Sequence, residues 1–218
     1  MKRILTLALL ILMTACSPAA SETAPAVAAS LVPTPEPTPI STAAVQVESA
    51  TPTLAAAQPT ADGFPVLAAP VCTGFTPENQ EGPYYTPNTP ERNSLLEDGV
   101  QGEALTVVGY VLDANCQPIT NAWLDFWQAD ANGEYDNAGY ILRGHQFTDS
   151  QGRYQLETIM PGLYSSRPIR HIHVKVQPPG GSMLTTQLYF PEQPIEGLTL
   201  DLTQAENGYL GVFNFVVK

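Results

Sequence analysis

The stretch RHIHVKV, from Arg170 to Val176, alternates polar and apolar side chains along its length. Side chains two residues apart project from the same face of a β-strand, so the pattern predicts a strand with one apolar and one polar face. The apolar face would pack a core. The polar face needs another explanation, because it holds two of the three histidines in the chain. The polar set is His171, His173 and Lys175, and the apolar set is Ile172, Val174 and Val176.

Other short runs of β-branched and aromatic residues follow from Ala104 onward, separated by Gly, Pro, Asn or Asp. Several such runs at this spacing, with no helical period, predict an all-β fold, an antiparallel β-sandwich. The section before Ala104 has Pro and Gly too often for regular structure, and we expect it to form an irregular N-terminal arm over the sandwich. The runs are LTVVGYVLD, AWLDFWQAD, GRYQLETI, HIHVKVQ, LTTQLYF and YLGVFNFVVK.

Residues 1–15, MKRILTLALLILMTA, place two basic residues before a short apolar run, which is typical of an export signal. Small residues then precede Cys16, as in bacterial lipoprotein signals, where the cysteine becomes the lipidated terminus. An ordinary cleaved signal is the alternative, and it would give a secreted protein. We therefore expect an extracytoplasmic lipoprotein of the bacterial cell envelope, held at a membrane surface through lipid on Cys16.

Composition divides the rest of the chain into two parts. Residues 16–70 are rich in Pro, Ala, Ser and Thr and are predicted to form a disordered tether. Residues 71–218 have the size and pattern of one compact domain. The chain carries a formal net charge of −12, and loss of the basic residues in the signal would make it more acidic. This charge argues against nucleic acid as a partner.

The cysteine count predicts a disulfide. If Cys16 carries lipid, Cys72 and Cys116 remain as an even pair in an exported domain. We expect them to form a disulfide that joins the start of the domain to its first hairpin. Two buried free thiols are the alternative.

Two histidines on one strand face could bind several metals or none. A cupin site would need a third histidine downstream, and none follows His173. A two-histidine, one-carboxylate iron(II) site would need an HxD or HxE pair. His145 could complete a three-histidine zinc site, but its surroundings, RGHQFTD, add no support. Tyr135 and Tyr164 both follow Gly-containing turns at predicted strand edges, and phenolates are hard donors suited to a trivalent metal.

Several short motifs follow one another along the chain. They are TPENQEGPYY, GxVxDxxCxP, AxxDxWxADxxGxY, RGxxxTDxxGxY, PGxY, HIH and LTTQLYF. Their order resembles that of the intradiol ring-cleavage dioxygenases, the catechol and protocatechuate family, and the resemblance covers residues 72–190. A transthyretin-like or carboxypeptidase-regulatory binding module shares the strand pattern and is the alternative, because fold alone does not fix function.

The resemblance implies an iron(III) centre with four protein ligands. Tyr164 would be the axial phenolate that substrate displaces, with His173 as the other axial ligand and Tyr135 and His171 as equatorial ligands. Gln187 matches the family glutamine beside the substrate. The reaction implied is cleavage of a small aromatic diol by O₂ to a cis,cis-muconate-type diacid, by a chain that forms homodimers. A family member that binds iron with little turnover is a further alternative.

One motif position departs from the family. The arginine expected three residues before HIH is replaced by Pro168. Arg170 neighbours a ligand and should point to the opposite strand face, so we expect Arg167 to take this catalytic role. Tyr84 and Tyr85 would either line the substrate mouth or pack the arm against the sandwich.

Overall fold

The computed structural model describes residues 63–164 and 166–218, and strands are the only regular elements within these ranges. The predicted signal, Cys16 and most of the predicted tether lie outside the described residues. Within the described ranges, no helix is long and apolar enough to span a membrane. The strands are β1 Ala104–Leu112, β2 Trp123–Trp127, β3 Arg143–Phe147, β4 Arg153–Ile159, β5 His171–Gln177, β6 Leu184–Tyr189, β7 Asp201–Ala205, β8 Gly208–Val212 and β9 Phe215–Val216.

The strands form two sheets, which confirms the predicted sandwich. The first sheet has the order β4-β1-β8-β7, with β9 pairing with β1, and the second has the order β3-β2-β5-β6. The second sheet is antiparallel throughout, whereas β1 runs parallel to β8 and β9 in the first. Strands β3 and β7 have no counterpart among the predicted runs. Their sequences, RGHQF and DLTQA, contain few of the β-branched and aromatic residues that identify a strand.

Both sheets contribute side chains to one hydrophobic core. As predicted, the apolar face of β5 packs into it, and Ile172, Val174 and Val176 are fully buried. The opposite face of the same strand is buried too, since His171 exposes 3% and His173 exposes 1% of its surface. The histidines therefore lie in an interior layer rather than on a solvated face.

The layer over these histidines is the arm, residues 76–95, which has no strand and confirms the predicted irregular segment. Backbone hydrogen bonds fasten the arm to the second sheet at intervals. Asn79 N donates to the Thr185 carbonyl at 2.9 Å, and Arg92 N donates to the His145 carbonyl at 2.7 Å. The arm thus supplies the backbone partners that an edge of the sheet would otherwise lack.

The predicted disulfide between Cys72 and Cys116 is present, with their Cα atoms 5.8 Å apart. Cys116 lies in a tight turn after β1, and the chain returns along β1 only as far as Ile119, whose N–H donates to the Val111 carbonyl at 2.8 Å. The expected hairpin is not formed, because β1 and β2 belong to different sheets. The disulfide therefore joins the start of the domain to the crossover between the sheets.

Candidate metal centre

Four aromatic side chains converge where two loops meet the first residues of β5. Tyr135 lies in the β2–β3 loop, Tyr164 lies in the β4–β5 loop, and both histidines lie on β5. The ring centroids are 5.9 Å apart for Tyr135 and Tyr164, 5.9 Å for Tyr164 and His171, and 4.7 Å for His171 and His173. Tyr135 Oη lies 3.4 Å from His171 Nε2. The four side chains are therefore clustered closely enough to be candidate ligands of one ion.

The two tyrosine loops are joined by their backbones. Gly162 N donates to the Asp130 carbonyl at 2.7 Å. A side chain at Gly162 would place a Cβ atom only 2.4 Å from the Ala131 carbonyl oxygen, so glycine is required for this approach. Tyr164 in turn accepts a hydrogen bond from Arg167 N at 3.0 Å, which closes a tight turn. This local structure places the PGxY tyrosine beside the NGEY tyrosine.

Strand register places further groups next to the histidines. On β6, Gln187 pairs with His173 and Tyr189 pairs with His171. On the other side, Trp127 of β2 pairs with His173, and the two rings stack with centroids 4.8 Å apart and an interplanar angle of 6°. Cross-strand partners share a face of the sheet, so all five side chains belong to one layer.

Arg167 and Arg170 have different surroundings. Arg167 Nη2 donates to Gln187 Oε1 and to Tyr189 Oη, each at 2.7 Å. Arg170 Nε instead donates to Glu192 Oε1 at 2.9 Å, on an exposed edge. The structure therefore brings Arg167 into the layer that holds the histidines and places Arg170 outside it.

The imidazoles are held in a neutral form. The pKa of His171 is lowered to about 4 and that of His173 to about 2, mainly by burial and in smaller part by the positive charge of Arg167. His171 Nδ1 lies 2.7 Å from the Ile169 carbonyl, which can only accept, so Nδ1 carries the proton. Nε2 of His171 then presents its lone pair toward Tyr135, the arrangement found in metal-ligating histidines.

The residues present fit a trivalent iron. His173 Nδ1 is buried with no hydrogen-bond partner among the described residues, and binding of the ring to a metal would offset that cost. Burial and the neighbouring Tyr164 raise the pKa of Tyr135 in spite of Arg167 and Arg143, so its phenol is protonated in the absence of a metal. A trivalent ion would reverse this preference. Within the described ranges, no group of three or more His, Cys, Asp or Glu residues could hold a metal, so a metal here would need tyrosine ligands.

Several known proteins are similar to this chain in sequence. A family model described as "Dioxygenase" matches residues 80–210, which is more than half of the chain. Relatives include a catechol 1,2-dioxygenase of Acinetobacter guillouiae, 34% identical over 53% of this chain and 47% of the relative, and a protocatechuate 3,4-dioxygenase beta chain of Burkholderia cepacia, 34% identical over 48% and 52%. The chain belongs to the intradiol ring-cleavage dioxygenase family. It spans about half the length of the curated intradiol dioxygenases it matches.

Solved structures of intradiol dioxygenases share the fold. The dioxygenase domain of a dioxygenase–carbohydrate-binding protein fusion from Streptomyces sp. SirexAA-E is 47% identical, with a TM-score of 0.64, and the match covers 66% of this chain and 99% of that domain. A 3-chlorocatechol 1,2-dioxygenase from Rhodococcus opacus is 28% identical, with a TM-score of 0.60, over 65% and 71% of the two chains.

The structure separates the two arm tyrosines of this family member. Tyr84 stacks on Tyr135 with ring centroids 4.3 Å apart, and it lines the same surface depression as Tyr135 and Tyr164. Tyr85 does not line that depression. Its hydroxyl donates to Asp125 Oδ2 at 3.0 Å, beneath the arm. Of the two sequence alternatives, Tyr84 therefore has the position of a mouth residue, and Tyr85 packs the arm down.

Two buried charged residues escaped the sequence analysis. Asp125 is fully buried, and it accepts hydrogen bonds from Tyr85 and, at 2.7 Å, from Thr89 Oγ1. Arg143 is also fully buried, and its donors go to the Tyr84 carbonyl at 2.6 Å and to the Asp136 carbonyl at 3.0 and 2.8 Å. Both belong to the motifs AxxDxWxAD and RGxxxTD. The motifs therefore contained both residues, but a motif gives only the order of segments and does not show which of its side chains are buried.

Proposed function

We propose that this chain is a non-haem iron(III) dioxygenase that cleaves a catechol-type diol between its two hydroxylated carbons. The observation that carries this proposal is the convergence of two phenols and two neutral imidazoles. Tyr135, Tyr164, His171 and His173 would hold the iron. When bound, the iron would act as a Lewis acid that favours ionisation of the diol and makes its ring reactive toward O₂.

The two tyrosines have different positions, and this difference suggests different roles. Tyr164 is partly exposed and lies in a short turn at the mouth, where an incoming diol would meet it first. Tyr164 would be the ligand that a bound diol replaces, and its phenolate oxygen would accept one of the diol protons. Tyr135 is covered by the Tyr84 ring at 4.3 Å and would remain a permanent ligand.

Arg167, Gln187 and Tyr189 form a polar wall beside the histidines. The Arg167 guanidinium, held by its two hydrogen bonds at 2.7 Å, would stabilise negative charge that develops on the substrate. Gln187 would fix the orientation of this arginine and contact the substrate. A preorganised cation of this kind needs no rearrangement during the reaction.

The overall reaction balances without an external reductant. Both atoms of O₂ enter the product, the bond between the hydroxylated carbons breaks, and a cis,cis-muconate-type diacid is released. Such an enzyme needs only the diol and O₂, which suits a site outside the cytoplasm. No coenzyme-binding motif is required by this scheme.

We also propose that the enzyme is exported and anchored to a membrane surface through lipid on Cys16, and that it works as a homodimer. The Cys72–Cys116 disulfide supports an oxidising compartment. Replacement of Cys16 by Ser should release the protein from the membrane fraction into the soluble envelope fraction. Membrane association that is unchanged in this variant would exclude the anchor.

The function is tested with purified, iron-loaded protein. We expect a red-brown tyrosinate–iron(III) absorption band that shifts on addition of catechol, together with consumption of one O₂ per diol and formation of a ring-opened diacid. Protein that stays colourless after iron loading would overturn the proposed centre. A band that shifts with catechol but is followed by no O₂ uptake would identify a family member that binds iron with little turnover.

Conservative variants test the ligand assignment. Tyr135→Phe and His173→Gln should lose most bound iron, since each removes one of four donors. Tyr209→Phe, on β8 in the other sheet, is the matched control and should keep both iron and colour. Full iron content in Tyr135→Phe would refute the assignment of that ligand.

A further inference from the structure

The mouth of the centre is larger than one aromatic ring. The two candidate tyrosine ligands line a surface depression of about 400 Å³. Pockets of roughly 300–1,000 Å³ accommodate drug-sized ligands, so a simple catechol would fill only part of this space. A diol bound at the metal would therefore extend any substituent on its ring toward the rim. The depression is lined by Tyr84, Gly133, Glu134, Tyr135, Asn137, Tyr164 and Ser166.

Glu134 is the charged member of this set, and the lining contains no Lys or Arg among the described residues. Its backbone is fixed, because Glu134 N donates to Asp130 Oδ1 at 2.9 Å and its carbonyl accepts from Asp130 N at 2.8 Å. Its exposed side chain has no hydrogen bond or ion pair within the described ranges. The side chain therefore starts from a fixed backbone position at the rim, and its charge is uncompensated by a protein cation.

The two arginines that act on the neighbouring Tyr135 have partners elsewhere. Arg143 lies beneath Tyr135, fully buried, with its donors on backbone carbonyls. Arg167 is hydrogen-bonded to Gln187 and Tyr189 on the histidine side of the centre. Neither guanidinium lines the depression, so a substituent at the rim meets a negative charge.

The remaining large side chains of the lining are aromatic. Tyr84, Tyr135 and Tyr164 all line the depression. Their rings offer apolar surface to an uncharged substituent of a bound diol. The mouth thus combines three tyrosine rings with one carboxylate.

We propose that this mouth selects catechols with an uncharged or cationic ring substituent over catechols with a carboxylate, and that Glu134 determines this preference. The inference rests on the proposed ring-cleavage function and narrows its substrate class. Two unit charges about 4 Å apart in water change a binding equilibrium by roughly fivefold, and added salt weakens the effect. We therefore expect discrimination of about threefold to tenfold from this one residue at low ionic strength.

The test compares three diols that differ mainly in substituent charge: 4-methylcatechol, 3,4-dihydroxybenzoate and 3,4-dihydroxyphenethylamine. For each, kcat/KM is measured in air, and the Kd of the iron-loaded protein is measured without O₂ from the shift of its absorption band. Substituents also alter the acidity of the ring, so absolute values are not compared. The quantity to compare between variants is the ratio of kcat/KM, or of Kd, for a charged diol to that for 4-methylcatechol. Glu134→Gln should reduce the preference against the carboxylate, and Glu134→Lys should reverse its sign. Glu206→Gln, in the β7–β8 turn, removes the same charge away from the depression and should change no ratio.

The possible outcomes separate the two proposals. Ratios that are the same in the parent protein, Glu134→Gln and Glu134→Lys would overturn the role of Glu134 while ring cleavage stands. A parent protein that takes the carboxylated diol better than 4-methylcatechol at low salt would overturn the substrate class. Absence of cleavage with a preserved charge preference in the Kd values would overturn the catalytic function and support the binding preference. Failure to bind any of the three diols would overturn both.

Discussion

Arg143 brings a positive charge into the interior without a hydrogen-bonded carboxylate partner. Its side chain is fully buried, and its hydrogen bonds go to the carbonyl oxygens of Tyr84 and Asp136. Burial lowers its pKa, but an arginine remains protonated at neutral pH. Its Cζ atom lies 6.0 Å from the centre of the Tyr135 ring. The same residue therefore fixes the loop of a candidate ligand and places a cation where a phenolate would form.

Replacement of Arg143 should weaken iron binding. Loss of a group that supports a metal ligand typically reduces affinity by about 10- to 100-fold, and we expect Arg143→Gln to fall in this range. Arg143→Lys keeps the charge but loses the planar fork, so its affinity should be intermediate. Competition with a chelator measures both. Arg153→Gln, a mostly buried arginine of β4, is the control, and an equal loss of iron there would indicate general destabilisation.

Arg167 and Arg170 should differ in their effects on turnover. Removal of one preorganised donor from a site of developing charge costs about 10²–10³ in kcat, so Arg167→Gln should be strongly impaired although its iron content is unchanged. Arg170→Gln loses an exposed contact with Glu192 and a hydrogen bond to the Pro161 carbonyl, but no contact with the histidine layer, and should keep kcat within about twofold. Steady-state kinetics with catechol measures kcat for both variants. A larger loss in Arg170→Gln would reassign the catalytic arginine.

Strand β5 shows which features of the site can be predicted from the sequence and which depend on tertiary contacts. Strand alternation alone predicted that His171 and His173 share a face, because that period is a local property of the chain. The burial of this face could not be predicted locally, since it depends on the arm crossing from about 90 residues away. For the same reason Tyr189 was missed as a partner of Arg167: its position depends on the pairing register between β5 and β6. The strand RGHQF was missed because its pairing with β2, rather than its composition, defines it.

The arm contacts the centre through Gly82, and this contact can be tested. Gly82 has φ +72°, and an added Cβ would lie 3.2 Å from His173 Cε1. Gly180 has φ +70° with open space around it. Alanine at either position should therefore cost about 1–3 kcal/mol of unfolding free energy through backbone strain. Only Gly82→Ala should also lower iron affinity, because only it displaces His173. Equal iron retention in the two variants would exclude a role for this contact in positioning the ligand.

The stability of the whole metal-free molecule depends on pH, because the fold buries two imidazoles in their neutral form. The pKa of His171 is lowered to about 4 and that of His173 to about 2, in both cases mainly by burial. In the unfolded chain both groups would titrate near the ordinary value of about 6.5. Below that pH the unfolded state binds more protons than the folded state, so the free energy of unfolding falls as the pH falls.

Acidification should therefore destabilise the metal-free protein in a way that depends on these histidines. Between about pH 7 and pH 5 the unfolded chain protonates both groups while the fold protonates neither, which removes about 2 kcal/mol of unfolding free energy per histidine. Chemical denaturation at the two pH values measures the difference. In a His171→Gln variant the loss should shrink by about half, and in a variant that also carries His173→Gln most of it should disappear. Carboxylates elsewhere titrate equally in all three proteins, so a pH dependence that is the same in the parent and the double variant would show that the buried imidazoles are not its source.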